Sequence, residues 1–125
     1  MSNDDLATRL MDDIDPDLLE FIRTKVNSFI KWDLVRFFNE NPHTTDTAEN
    51  IARYTGRDVR TVEPELDQLV QDGLVDMTPL NEMTVYTFGT DTAKRHMIDV
   101  FLAACDDRQF RIKALYHVIR GMAWR

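Results

Sequence analysis

The sequence predicts a mainly α-helical domain with one small β-hairpin. Three observations carry that reading. Apolar residues recur at helical spacing through most of the chain. The period then changes to that of two short strands between Leu74 and Phe88. Two predicted helices end on glycines, Gly56 and Gly73, which suit the left-handed residue that stops a helix.

Asp15-Pro16-Asp17 is a helix start: Asp15 caps, Pro16 suits the first helical position, and Asp17 favours the positive helix end. Leu18, Leu19, Ile22, Val26, Phe29, Ile30, Leu34, Phe37 and Phe38 carry the helical pattern to about Asn39. It is read as one long helix or as two with a bend near Asn27-Ser28. Asn41-Pro42 ends it, because proline disfavours helix in the residue before it. Thr44-Thr45-Asp46 offers caps for the next helix, whose apolar positions are Ala48, Ile51, Ala52 and Tyr54. A further helix spans Val59–Asp72, with Val59, Val62, Leu66, Leu69 and Val70 on one face and Pro64 within the first turn or two.

Leu74–Thr78 and Met83–Phe88 read as strands, Pro79-Leu80-Asn81-Glu82 as the turn between them, and Gly89 closes the hairpin. Helices at 91–105 and 107–122 complete the chain. Residues 1–14 form an acidic, partly ordered N-terminal arm, and 15–125 one domain with its core at 29–89.

The net charge is −7, but residues 1–20 alone contribute −6. The body is nearly neutral. Phe21, Phe29, Ile30, Trp32, Leu34, Val35, Phe37 and Phe38 spread around the predicted first helix, with Lys31, Asp33 and Arg36 interrupting the apolar run. A helix apolar on two sides needs two partners: the helix–hairpin core is one, and the C-terminal helices or a second subunit the other. No apolar run is long enough for a membrane span, and the N-terminus lacks a signal peptide's organisation. Cys105 is the single cysteine, which excludes an internal disulfide and fits a reducing, cytoplasmic setting. His43, His96 and His117 are far apart, and no spacing matches a metal motif. They are expected at the surface or half-buried, and Cys105 as a small buried apolar residue. Glu63-Pro-Glu65 and Asp106-Asp107 are expected on solvated faces or at helix caps. No phosphate loop or nucleophile elbow is present. The expectation is a non-enzymatic protein without cofactor or metal.

Thr47-Ala-Glu-Asn-Ile-Ala-Arg-Tyr-Thr-Gly56, then Val59-x-x-Val62, then Leu66-x-x-Leu69-Val70-x-x-Gly73-Leu74-Val75 resembles the winged helix-turn-helix domains of bacterial transcription regulators. The close resemblance covers about half the chain. It implies a winged helix with extra N- and C-terminal helices, acting as a cytoplasmic, homodimeric transcription regulator on double-stranded DNA. The helix Val59–Asp72 would then read the major groove. Arg57, Asp58, Arg60, Thr61 and Glu63 would face bases, with Arg57 and Arg60 on guanine edges or phosphates. Thr44, Thr45, Thr47 and Arg53 would meet phosphate. Arg108, Arg111 and Lys113 form a second basic patch in residues 107–125, whose net charge is +4; this end can also pair with the acidic arm or serve as a plain solvated face.

Residues 43–72 nevertheless sum to −4, and the predicted wing carries Glu82 but no Lys or Arg. A minor-groove wing usually offers a cation. The alternative expectation is therefore a winged helix used for protein–protein interaction, as an adaptor or assembly module.

Overall fold

Asp15 opens the first helix as expected: its carboxylate accepts hydrogen bonds from the backbone N–H groups of Asp17 and Leu18. A computed structural model describes residue 11 and residues 13–123. Most of the predicted N-terminal arm therefore lies outside the described residues. Helices α1 (Pro16–Thr24) and α2 (Phe29–Glu40) are separate. Ser28 makes the break, its hydroxyl accepting from the Lys31 N–H at 3.1 Å. There follow strand β1 (Thr45–Asp46), helices α3 (Ala48–Thr55) and α4 (Val59–Gln71), strands β2 (Val75–Leu80) and β3 (Met83–Phe88), and helices α5 (Thr92–Ala104) and α6 (Arg108–Ala123). The domain is mostly helical with a small antiparallel sheet of strand order β1-β3-β2.

Three local expectations are corrected. Thr44-Thr45-Asp46 does not cap α3. Thr45 and Asp46 instead pair with Thr87 and Tyr86 as a third strand, because the far edge of β3 has backbone groups to satisfy. Thr47 supplies the cap, its hydroxyl accepting from the Asn50 N–H. The hairpin turn is also shorter than predicted. Pro79 and Leu80 continue β2 opposite Thr84 and Met83, leaving Asn81-Glu82 as the turn, with Asn81 at φ 59°. Proline is tolerated there because β2 is an edge strand and need not donate outward. Finally, α4 stops at Gln71, and Asp72 is its C-cap.

The other turns follow their residues. Gly56 ends α3 at φ 70°, a left-handed conformation that costs a residue with a Cβ. Gly89 is needed for closeness: its N–H donates to the Leu74 carbonyl, and a Cβ there would sit 2.8 Å from that same oxygen. This contact ties the end of the hairpin to its beginning. Pro64 lies in the second turn of α4, where one lost backbone bond is tolerated.

One apolar core joins the six helices of the described residues to the sheet. Phe101 of α5 is fully buried at its centre. Its ring lies 5.8 Å from Phe21 of α1, 5.1 Å from Trp32 of α2 and 6.3 Å from Phe110 of α6, centroid to centroid. Ile51, Val62, Leu66 and Leu69 bury α3 and α4 against α2 and the sheet. The wide apolar arc predicted for the first helix is accounted for by this arrangement, since α2 touches α3 and α4 on one side and α5 on another.

Candidate functional site: the groove between the fourth helix and the hairpin

Polar links from α1 and α2 hold α4 at its beginning, middle and end. At the beginning, Arg57 donates through Nε and Nη2 to one Asp33 oxygen, at 2.9 and 2.6 Å. At the end, Lys25 pairs with Asp72 at 3.3 Å. In the middle stands Lys31, whose side chain is only 2% exposed. It donates to Asn27 Oδ1 at 2.8 Å and to Gln68 Oε1, and lies 3.7 Å from Glu65 Oε2. In the sequence Lys31 reads as an interruption of an apolar run. The signal for burial was that the apolar arc continues on both sides of it, leaving that position no route to water.

The residues expected to meet DNA are placed as follows. Arg57 is half-buried and engaged by Asp33, so its guanidinium fastens the α3–α4 turn to α2 instead of projecting outward. Arg60 projects, with 87% of its side chain exposed, but pairs with Asp58 at 2.9 Å. Its guanidinium and then its backbone N–H hold the Asp58 carboxyl below the usual carboxylate range. Thr61 turns its hydroxyl back to the Asp58 carbonyl at 2.8 Å. Arg53 is exposed on α3. Thr44 is half-buried before β1, Thr45 lies on β1, and the Thr47 hydroxyl is committed to its cap.

A carboxylate stands at the start of α3, which was expected to meet phosphate, and another at the start of α4. Asp46 accepts from the Thr47 N–H at 2.9 Å, from Asn50 Nδ2 at 2.7 Å and from the Tyr54 hydroxyl at 3.2 Å. The Asn50 amide does most to lower its pKa, with desolvation opposing. Asp58 does the same at α4, accepting from the Arg60 N–H at 2.8 Å. A fixed anion at each site repels a second one.

Between these elements and the hairpin lies an open groove of about 690 Å³. It is lined by Thr47, Ala48, Glu49, Asn50, Glu63, Asp67, Met77, Glu82, Met83, Thr84 and Tyr86. Its four carboxylates are exposed, and among the described residues no Lys or Arg lines it. At its floor Tyr86 is buried and donates its hydroxyl to Asp67 Oδ1 at 2.9 Å. Burial raises the Tyr86 pKa, as do the hydrogen bond and charge of Asp67 and the charges of Glu63 and Glu49. On the hairpin, Met77, Leu80 and Met83 are each about half exposed.

The secondary basic patch is not brought to this groove. α6 packs on α1, and none of its bases lines the groove. Lys113 donates to the Asp13 carbonyl at 3.1 Å, and Arg111 donates to the Cys105 carbonyl at 2.8 Å. His117 is buried, against the expectation of a surface or half-buried side chain, and its Nε2 lies 2.9 Å from the Met11 carbonyl oxygen. The chain entering α1 covers this part of α6 and supplies the polar partner that a buried ring requires. A second cleft of about 660 Å³ lies between α2 and α5, with charges of both signs. Cys105 lines it, its thiol pushed up to about 11, chiefly by burial. Such a thiol is protonated near neutrality and a poor nucleophile. Among the described residues no His, Cys, Asp and Glu cluster could hold a metal ion, and no helix is long and apolar enough to cross a membrane.

Comparison with protein-family models, with curated proteins and with solved structures returned no match.

Proposed function

We propose that this chain is a winged-helix module that binds protein, an adaptor or assembly domain whose docking surface is the groove between α4 and the hairpin. The order helix, strand, helix, tight turn, helix, hairpin supports the winged-helix reading. The observation that carries the function is a groove with four carboxylates and, among the described residues, no base, together with a carboxylate at the start of each neighbouring helix, Asp46 just before α3 and Asp58 at the cap of α4. DNA binding gains its affinity from cations placed against phosphates. Here the two arginines at the turn are matched by Asp33 and Asp58, and the hairpin adds Glu82. The half-exposed Met77 and Met83 supply adaptable apolar contact beside that charge. The surface therefore suits a cationic protein segment carrying apolar anchors. Fold alone does not settle this, since winged helices serve both uses. The site chemistry favours protein.

The test is fluorescence anisotropy of the full chain with two labelled probes: a random-sequence DNA duplex and a Lys/Leu peptide of helical spacing. The peptide is expected to bind with a salt-dependent affinity that falls about tenfold or more in Glu63→Lys/Asp67→Lys, from reversed charge pairs in and around the groove. The duplex is expected not to bind at low ionic strength. Duplex binding with a steep salt dependence would overturn the reading and restore the transcription-regulator expectation.

A further inference from the structure

Helix α6 is apolar on two sides, and among the described residues only one is covered. Ala114, His117 and Val118 are buried on its inner side, where it packs on α1. Ile112, Ile119 and Met122 are between 42% and 56% exposed. Their spacing of seven and three residues places them in one stripe along the opposite side. The helix carries four bases and no acid, and Arg108 and Arg111 border the stripe. A lone exposed apolar residue is ordinary, but a stripe running the length of a helix marks a contact surface.

The groove holds the second half-exposed apolar pair, Met77 and Met83, and here the bordering charge is negative, from Glu63, Asp67 and Glu82. The two surfaces match in size. A 16-residue helix is about 24 Å long, and the six-residue strands of the hairpin span about 20 Å. They also match in charge, and both are present on every copy.

We propose that α6 of one copy lays its Ile112–Ile119–Met122 stripe on the hairpin and groove of a second copy, with Arg108 and Arg111 facing Glu63, Asp67 and Glu82. This rests on the protein-docking reading of the groove and names its occupant. Pairing α6 with its own copy would satisfy the stripe as well. It would, however, bring two sets of four positive charges together and leave the groove carboxylates unmatched. If a two-fold axis relates the copies, the contact occurs twice and closes a dimer; without one, it continues as an open chain.

Sedimentation equilibrium of the full chain across a concentration series, at low and high salt, tests this. Concentration-dependent association is expected, weakened about tenfold at high salt. Glu63→Lys/Asp67→Lys and Arg108→Glu/Arg111→Glu are each expected to abolish it. The chain carrying all four substitutions is expected to regain it, because the charge pairs are restored in reverse. All four positions are exposed, and circular dichroism confirms the fold of each variant. A wild-type chain that stays monomeric overturns the proposal; if the Lys/Leu peptide still binds that monomer, the docking reading stands, and if it does not, both fall. Association that survives either charge reversal also overturns the proposal and assigns assembly to another surface, with α6 against α6 the first to examine.

Discussion

Replacing Lys31 by methionine removes the positive charge that holds the middle of α4 to α2 while keeping most of the side-chain volume. The Lys31 side chain is 2% exposed and its ionic partner Glu65 only 14%, with 3.7 Å between the charged atoms. At that distance and an effective dielectric constant near 20, their attraction is about 4.5 kcal/mol. Bringing both ions out of water cost several kcal/mol each, so the intact pair contributes little net stability. The single substitution is different. It leaves Glu65 in a poorly hydrated place with its partner gone, and Asn27 and Gln68 lose their donor. The expected loss is about 3 kcal/mol, a fall in melting temperature of about 12 °C for a domain of this size. Lys31→Met/Glu65→Met removes both charges together and is expected to recover most of that loss. Thermal melts and urea titrations followed by far-ultraviolet circular dichroism measure all three chains. A single variant within about 1 kcal/mol of wild type would show that the pair is hydrated and the burial argument wrong. A double variant as unstable as the single one would show that Lys31 acts through its amide partners alone.

Other outcomes follow from the same structure. Phe101→Ala opens a cavity where α1, α2, α5 and α6 meet and should cost about 3–5 kcal/mol in a urea titration; a loss under about 1 kcal/mol would mean the core is loosely packed. Gly89→Ala forces a Cβ to 2.8 Å from the Leu74 carbonyl and should lower the melting temperature, whereas Gly121→Ala meets nothing within 4 Å and should not. The Cys105 thiol, raised from about 9 to about 11, should react slowly with a thiol reagent at pH 8 and quickly once urea unfolds the chain. Because the unfolded chain ionises first, the part of the stability linked to this thiol is fully present below pH 9 and is lost as pH rises through about 11. Asp46→Asn/Asp58→Asn removes the fixed anion from both helix N-termini and should raise the chain's affinity for duplex DNA in the anisotropy assay; no change would show that the groove carboxylates are the barrier.

The sequence by itself determined where the first described helix starts and where three helices stop, because those signals act within a few residues; the break at Ser28 stayed one of two readings, and the cap of α3 was misplaced. Asp15-Pro16, Ser28, Gly56 and Gly73 each set the backbone next to them, and a proline such as Pro42 restricts only its neighbour. The mostly helical class with a small hairpin was legible for the same reason. The acidity of residues 43–72 was legible too, as a sum.

Only the tertiary structure decided which charges remain available to a partner. Arg57 reads like an outward base contact until Asp33, 24 residues earlier, is found closing on it. Lys31 reads like a break in an apolar run until Asn27, Gln68 and Glu65 surround it. The third strand likewise depends on β3 reaching back to Thr45 and Asp46. The difference is one of range. Capping and turn formation are settled between neighbours in the chain, whereas a charge is neutralised, buried or left facing solvent by residues that only folding brings near.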